Sequence, residues 1–177
     1  VTHHLTSAAT PPPSAAGLAS TWLACAASVG RHVNTLPQIG EFWWMAFNAA
    51  INGYLHSSFP IGACIVSDAN EVIAIESNAS GIHTLDHAEY RAIRKIESQE
   101  MLSRSTIYST MEPCPMCTGA IRLAKIRNLH FAAYDPAAGF SSHLRNGEFM
   151  SNFDCTVVGP KQPDLEKVVV ALNTECR

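Results

Sequence analysis

Between residues 41 and 55, Phe42, Met45 and Ala49 recur at the three- and four-residue spacing of a helix face. From residue 60 to 66 the chain is instead continuously apolar and rich in branched side chains, and a second apolar run at 72–75 follows the turn residues Ser67 to Asn70. The two runs predict a β-hairpin. After a Ser/Asn/Gly loop, Leu85, Ala88, Ala92, Ile93 and Ile96 mark one face of a helix from about residue 87 to 97. A short strand at 106–109, a helix opening at Pro113 and a strand at 128–134 come next, and beyond Gly159 the chain ends in a helix carrying Val168, Val169 and Leu172. A helix, two strands, and then strands alternating with helices predict an α/β fold, a three-layer α/β/α sandwich around one mixed central sheet. Trp43 and Trp44 are adjacent and cannot face the same neighbour, so one belongs to the core and the other to a lid or an interface.

The N-terminal stretch has a different texture. Residues 1–16 carry Thr, Ser, Ala and the triplet Pro11-Pro12-Pro13 and read as an extended tail, and the Ala-rich run at 18–29 can form a short helix. The expected organisation is an N-terminal extension over residues 1–36 and a single domain over 37–177, because a chain of 177 residues buries one substantial core and hardly two. Hydrophobic residues at 47% and charged residues at 15% exclude a disordered chain. The apolar stretch at 15–29 is interrupted by Ser20, Thr21 and Ser28 and is too short to span a bilayer, so no membrane association is expected. Residues 1–17 contain no Lys or Arg to serve as the basic start of a secretory signal, which points to a cytoplasmic protein. Six cysteines in a chain of this length are too sparse for a disulfide framework, which agrees with a reducing compartment. A net charge of −3 provides no overall basic field, so nucleic-acid binding would require a local basic patch.

Two segments do more than alternate core and turn: Asp86-His87-Ala88-Glu89 and Met111-Glu112-Pro113-Cys114-Pro115-Met116-Cys117. Each begins a predicted helix. A catalytic zinc takes three protein ligands and keeps one position open, and one His with two Cys is an accepted set, which His87, Cys114 and Cys117 supply. Pro113 suits the first turn of a helix and leaves Cys114 and Cys117 about one turn apart, so both sulfurs can face one ion. The positive helix end and the metal favour thiolate over thiol. Glu89, two residues after His87, can sit beside the metal without ligating it, where a proton shuttle belongs.

Taken singly, the parts have plainer accounts. Asp86-x-x-Glu89 passes as a capping box, and a lone Cys-x-x-Cys is half of a structural zinc site or a redox pair. A structural site normally uses four protein ligands, and no second Cys-x-x-Cys completes one. The combination H-x-E…P-C-x-x-C is the signature of zinc nucleobase deaminases.

On these motifs the chain resembles the cytidine/deoxycytidylate deaminase superfamily, in the branch that holds tRNA adenosine deaminases, guanine deaminases and related nucleoside deaminases. The resemblance runs from about residue 41 to 159 and takes in Phe59-Pro60-Ile61-Gly62-Ala63, similar to the first strand with part of the substrate pocket. It implies one Zn2+ per chain, Glu89 as the catalytic proton carrier, and substrate contacts from Asn78, the backbone amide of Ala88 and Phe59. Asp135, just past a strand, is a further candidate for the substrate's amino group. His32, His56, His83, His130 and His143 read as surface or hydrogen-bonded core residues. Cys25, Cys64, Cys155 and Cys176 read as small apolar residues. Arg122, Lys125 and Arg127 read as a solvated helix side, with a phosphate-binding strip as the alternative.

Hydrolytic deamination of a small nucleobase or nucleoside, of aminopurine type, is the favoured reading at this level. Deamination of adenosine to inosine in tRNA is the alternative, and a non-catalytic zinc-stabilised binding module is the remote third. Twelve Lys and Arg against fifteen Asp and Glu offer little for phosphate contacts. In addition, Asp135 is followed by Pro136-Ala137-Ala138-Gly139-Phe140-Ser141, where the tRNA enzymes typically carry a basic residue and a Gly-Ser turn. The resemblance also implies a homodimer or larger homo-oligomer. The apolar band Met116, Ala120, Ile121, Leu123 and Ala124 is broader than one sheet-facing stripe needs, so a second chain, the N-terminal extension or the segment at 168–172 is expected to cover part of it.

Overall fold

The computed structural model describes residues 40–141, 155–160 and 163–175. The N-terminal extension, its boundary at residues 36 and 37, and the positions His32, His143, Cys25 and Cys176 lie outside the described residues. The chain order is α1 (Glu41–Leu55), β1 (Gly62–Val66), β2 (Val72–Ser77), α2 (Ala88–Arg94), α3 (Gln99–Arg104), β3 (Thr106–Met111), α4 (Pro115–Leu123), β4 (Asn128–Ala133), β5 (Thr156–Val158) and α5 (Pro163–Glu175). The strands form one sheet in the order β2-β1-β3-β4-β5. β1 runs antiparallel to both β2 and β3, while β3, β4 and β5 run parallel, so the sheet is mixed as the element order predicts.

The sheet's two faces carry separate cores. Ala63, Ile65, Ile107, Leu129 and Phe131 pack with Ala88, Ala92 and Ile121 of α2 and α4. On the opposite face Trp43 and Phe47 of α1 meet Leu165, Val168 and Leu172 of α5 over Ala132 and Ala133. This arrangement is the three-layer sandwich. Burying each of the large apolar side chains contributes about 1.5–3 kcal/mol, whereas an exposed pair such as Arg104 with Asp68 contributes at most about 1 kcal/mol. The apolar pattern, and not surface charge, therefore sets the layers. β1 is buried along its whole length and accordingly lacks polar alternation. The edge strand β2 leaves Ile75 exposed.

α1 lies with its backbone directly on the start of β1. A Cβ on Gly62 would stand 2.0 Å from the Ala46 carbonyl oxygen, so glycine sets this approach. Of the two tryptophans, Trp43 is the core residue and meets Tyr108 edge-on, while the half-buried Trp44 packs on Phe47 of its own helix. α5 sits on the α1 face, so the segment at 168–172 does not cover the outer side of α4. There Leu123 stays 74% exposed.

Three elements differ from the sequence reading. The predicted helix at 87–97 ends at Arg94, and a second short helix, α3, follows from the cap Ser98, whose hydroxyl accepts from the Met101 amide. Only Leu102 of α3 is buried, which is too little periodicity to announce a helix. The three-residue β5 likewise went unpredicted. α4 starts at Pro115, not Pro113, because the residue before a proline is driven out of the helical region: Cys114 has φ −69° and ψ 172° and forms the cap.

A buried ion-pair cluster clamps β2 to α2. Glu76 is 8% exposed and meets the guanidinium of Arg91 at 2.7 Å and the ammonium of Lys95 at 2.9 Å. Burial alone pushes its carboxyl up, but the hydrogen bonds and charges of Lys95 and Arg91 outweigh burial and hold it below the ordinary 4.5. A carboxyl lowered in the folded state contributes stability that is fully present above the unfolded value and lost as pH falls through the folded one. A Glu76→Gln protein is therefore expected to be less stable than wild type at pH 7 by about 1–2 kcal/mol, a figure kept low because Lys95 is largely solvent-screened. Denaturant unfolding should show that gap closing below about pH 4.5. A gap independent of pH would assign the loss to packing alone.

Candidate active site

Register brings the two motif segments to one edge of the sheet. Gly62 at the start of β1 pairs with Ser77 at the end of β2, and Ala63 pairs with Ser109 of β3. Met111 and Ala133 pair at the carboxyl ends of the parallel strands β3 and β4. Phe59, Asn78, Glu112 and Asp135 thus all follow or precede strands at the same edge, the edge at which open α/β sheets bind ligands. The helices α2 and α4 begin there, with His87 and Cys114 as their caps.

Capping geometry makes the donor set. A cap residue and the third residue of its helix face one another across the first turn. Pro115 is the first residue of α4, so Cys114 and Cys117 hold those two positions, and the His87 cap approaches from α2. One ligand atom each from His87, Cys114 and Cys117 lies within 4.8 Å of the others. Sulfur and nitrogen bound tetrahedrally to zinc at about 2.3 Å and 2.0–2.1 Å would stand about 3.6 Å apart. Cys114 Sγ and His87 Nδ1 are 3.5 Å apart, so the donor set fits that ion.

Glu89 is 3% exposed and is placed beside this set. Its Oε1 accepts from the Ser109 hydroxyl at 2.9 Å, and its Oε2 accepts from the Cys117 thiol at 3.4 Å. Burial pushes its carboxyl up, against the hydrogen bonds from its own backbone amide, Ser109 and Cys117. Ser109 did not stand out in the sequence. Its signal was a hydroxyl at an inward position of a buried strand, two residues from Ile107.

The three donors do not titrate alike in the metal-free chain. A hydrogen bond from Cys117, joined by one from His87, lowers the Cys114 thiol to about 4. Cys117 is pushed up, first because its thiol donates to Cys114 and then by burial. Without the ion, thiolate is thus favoured at Cys114 alone. His87 is raised above 6.5 chiefly by its hydrogen bond to Cys114, despite burial, with a backbone hydrogen bond to Thr84 also contributing.

The remaining predicted residues sit around this centre in differing states. Asn78 is 2% exposed, donates its amide to the Ile61 carbonyl and accepts the Ser80 amide at its side-chain oxygen. Ala88 is buried as the first residue of α2, and Phe59 is half-exposed just before β1. Asp135 uses Oδ1 to accept the amides of Ala137 and Ala138. His56 and His83 are exposed, and His130 packs edge-on against Tyr108, away from the donor set.

Residues 37–133 match the model of the cytidine and deoxycytidylate deaminase zinc-binding region, over half of the chain. Among curated proteins the chain is similar to the tRNA-specific adenosine deaminases of Bacillus subtilis, at 38% identity over 49% of this chain and 56% of that protein, and of Agrobacterium fabrum, at 37% over 45% and 55%. The chain spans about half the length of these relatives. Among solved structures it is similar to one from a study of A-to-I editing by tRNA:A34 deaminases at the wobble position, with 30% identity, a TM-score of 0.54, and coverage of 66% of this chain and 95% of that one. A guanine deaminase from Nitrosomonas europaea shares the fold, at 20% identity and a TM-score of 0.61 over 76% of this chain and 82% of that chain.

Proposed function

The chain belongs to the cytidine and deoxycytidylate deaminase zinc-binding family, and from that membership we propose that it hydrolyses the exocyclic amine of a nucleobase, releasing ammonia. The observation that carries this reading is the buried carboxylate of Glu89, in contact with a donor set of zinc dimensions yet not part of it. His87, Cys114 and Cys117 would hold the ion, which when bound supplies a Lewis acid that makes water nucleophilic near neutral pH. Glu89 takes a proton from the attacking water and gives it to a ring nitrogen, then takes the proton of the newly added hydroxyl and delivers it to the departing amine as the C–N bond breaks. The Ser109 hydroxyl orients the carboxylate for that transfer. Asn78 and the Ala88 amide hold the base, Phe59 walls it, and Asp135 reaches it with the carboxylate oxygen that does not cap its own turn.

Adenosine in tRNA is the better-supported substrate, because the curated relatives at 37–38% identity and the structure at 30% are tRNA deaminases. This outweighs the sequence-based preference for a free base. The free aminopurine is kept as the second reading on the Pro136 to Phe140 segment and the net charge of −3. Ammonia release by zinc-loaded protein should be measured on an anticodon stem-loop with a wobble adenosine and on free adenine, guanine, cytosine and their nucleosides. The expected result is turnover of the stem-loop above every free compound. Turnover confined to free bases would reverse that order, and none on any compound would remove the deaminase reading.

A further inference from the structure

Glu112 is a buried carboxylate that belongs neither to the donor set nor to the proton path. We propose that it is a positioning residue whose two oxygens fasten the loop 135–141 to the edge that carries Cys114, and so preset substrate binding. The proposal rests on the deaminase reading above.

The loop holds its own turn. Asp135 caps the turn through Ala137 and Ala138, and the Gly139 amide closes onto the Asp135 carbonyl at 2.9 Å. Glu112 gathers both ends. Its Oε1 accepts the Ser141 amide at 3.1 Å and the Ser141 hydroxyl at 2.6 Å, and its Oε2 accepts the Asp135 amide at 3.4 Å. Ser141 itself is 2% exposed. The Phe140 amide then donates to the carbonyl of Pro113, the residue next to Cys114, at 2.9 Å. A Cβ on Gly139 would lie 2.1 Å from Glu112 Oε2, so a glycine at this position leaves the carboxylate its seat.

These partners are all neutral donors, which explains an acid at this position. A carboxylate offers acceptors on both sides, whereas an amide would turn an NH2 group toward one of the donors. A carboxylate buried without such donors would be strongly disfavoured. Residue 112 continues β3, with its amide on the Ala133 carbonyl at 2.8 Å, so the anchor is itself rigidly placed by the sheet. A loop held in its binding conformation spares the substrate the cost of ordering it, and a loop populated there only in part weakens apparent affinity by that fraction. The consequence falls on KM, with little effect on kcat.

The test compares wild type, Glu112→Gln and Ser141→Ala in zinc-loaded form, with the wobble-adenosine stem-loop and guanine as probes. Zinc per chain, amide hydrogen exchange and steady-state constants are measured together. Glu112→Gln is expected to keep its zinc, to exchange faster in a peptide spanning 135–141 but not in one spanning 106–111, and to raise KM by about ten-fold with kcat changed by less than about three-fold. Ser141→Ala should shift the same readouts by less, and it decides the matter if Glu112→Gln does not fold. Wild-type exchange in 135–141 together with unchanged KM overturns the proposal, as does loss of zinc. Absence of turnover by wild type on both probes counts against these two substrates and not against Glu112, and the exchange comparison, which needs no substrate, still decides whether Glu112 holds the loop.

Discussion

A Glu89→Gln protein is expected to retain about one zinc per chain while losing deamination by at least about 10²–10⁴-fold, the usual worth of general acid–base catalysis. The substitution is nearly isosteric. An amide oxygen can still accept from Ser109 at the 2.9 Å contact, so the buried start of α2 keeps its packing. What disappears is a group able to bind and release a proton between water, ring nitrogen and amine. Glu89 is 3% exposed, which limits the access of bulk water that could otherwise take over the transfer. Ammonia release and metal content should be measured on the same preparation. Turnover within a few-fold of wild type would reduce Glu89 to a buried acid at a helix start, and loss of zinc would make it a ligand or a support of one.

The two motif segments were legible because their chemistry depends on short spacings, and short spacings survive any fold. His87 and Glu89 share one helix start and Cys114 and Cys117 another, so sequence alone brings each pair together. What joins the pairs to each other is the sheet. Ser109 reaches Glu89 across 20 residues and Glu112 reaches Ser141 across 29, and no local pattern signals either contact. The layers were readable for a similar reason: the continuous apolar run of β1 and the periodic face of α1 each describe a single element. The elements that escaped, α3 and β5, are six and three residues long and bury too little to produce a period. The misplaced start of α4 came from weighing Pro113 as a first-turn proline without weighing the effect of Pro115 on the residue before it.

Removing zinc with a chelator is expected to abolish turnover, and reloading the metal-free protein should release protons in a number set by the two cysteines. At pH 7 Cys114, lowered to about 4, is already a thiolate, whereas Cys117 is raised and keeps its proton. Metal ligation needs both sulfurs deprotonated and the imidazole neutral. Loading at pH 7 should therefore release about one proton from Cys117 plus the fraction carried by His87, whose value is raised above 6.5. As pH rises through the His87 value the second contribution vanishes, and the count should fall toward one. Calorimetry in buffers of differing ionisation enthalpy reads this number directly. Two protons from the thiols would mean that Cys114 is not the thiolate of the pair, and none would mean that Cys117 does not give up a proton to become a ligand. Cys117→Ala and Cys114→Ala should each lose stoichiometric zinc and, with it, activity. The Cys117 variant should also be the less stable, because Cys117 is fully buried within α4 while Cys114 is partly open to solvent. Full zinc retention by both variants would place the metal elsewhere and remove the donor set from the mechanism.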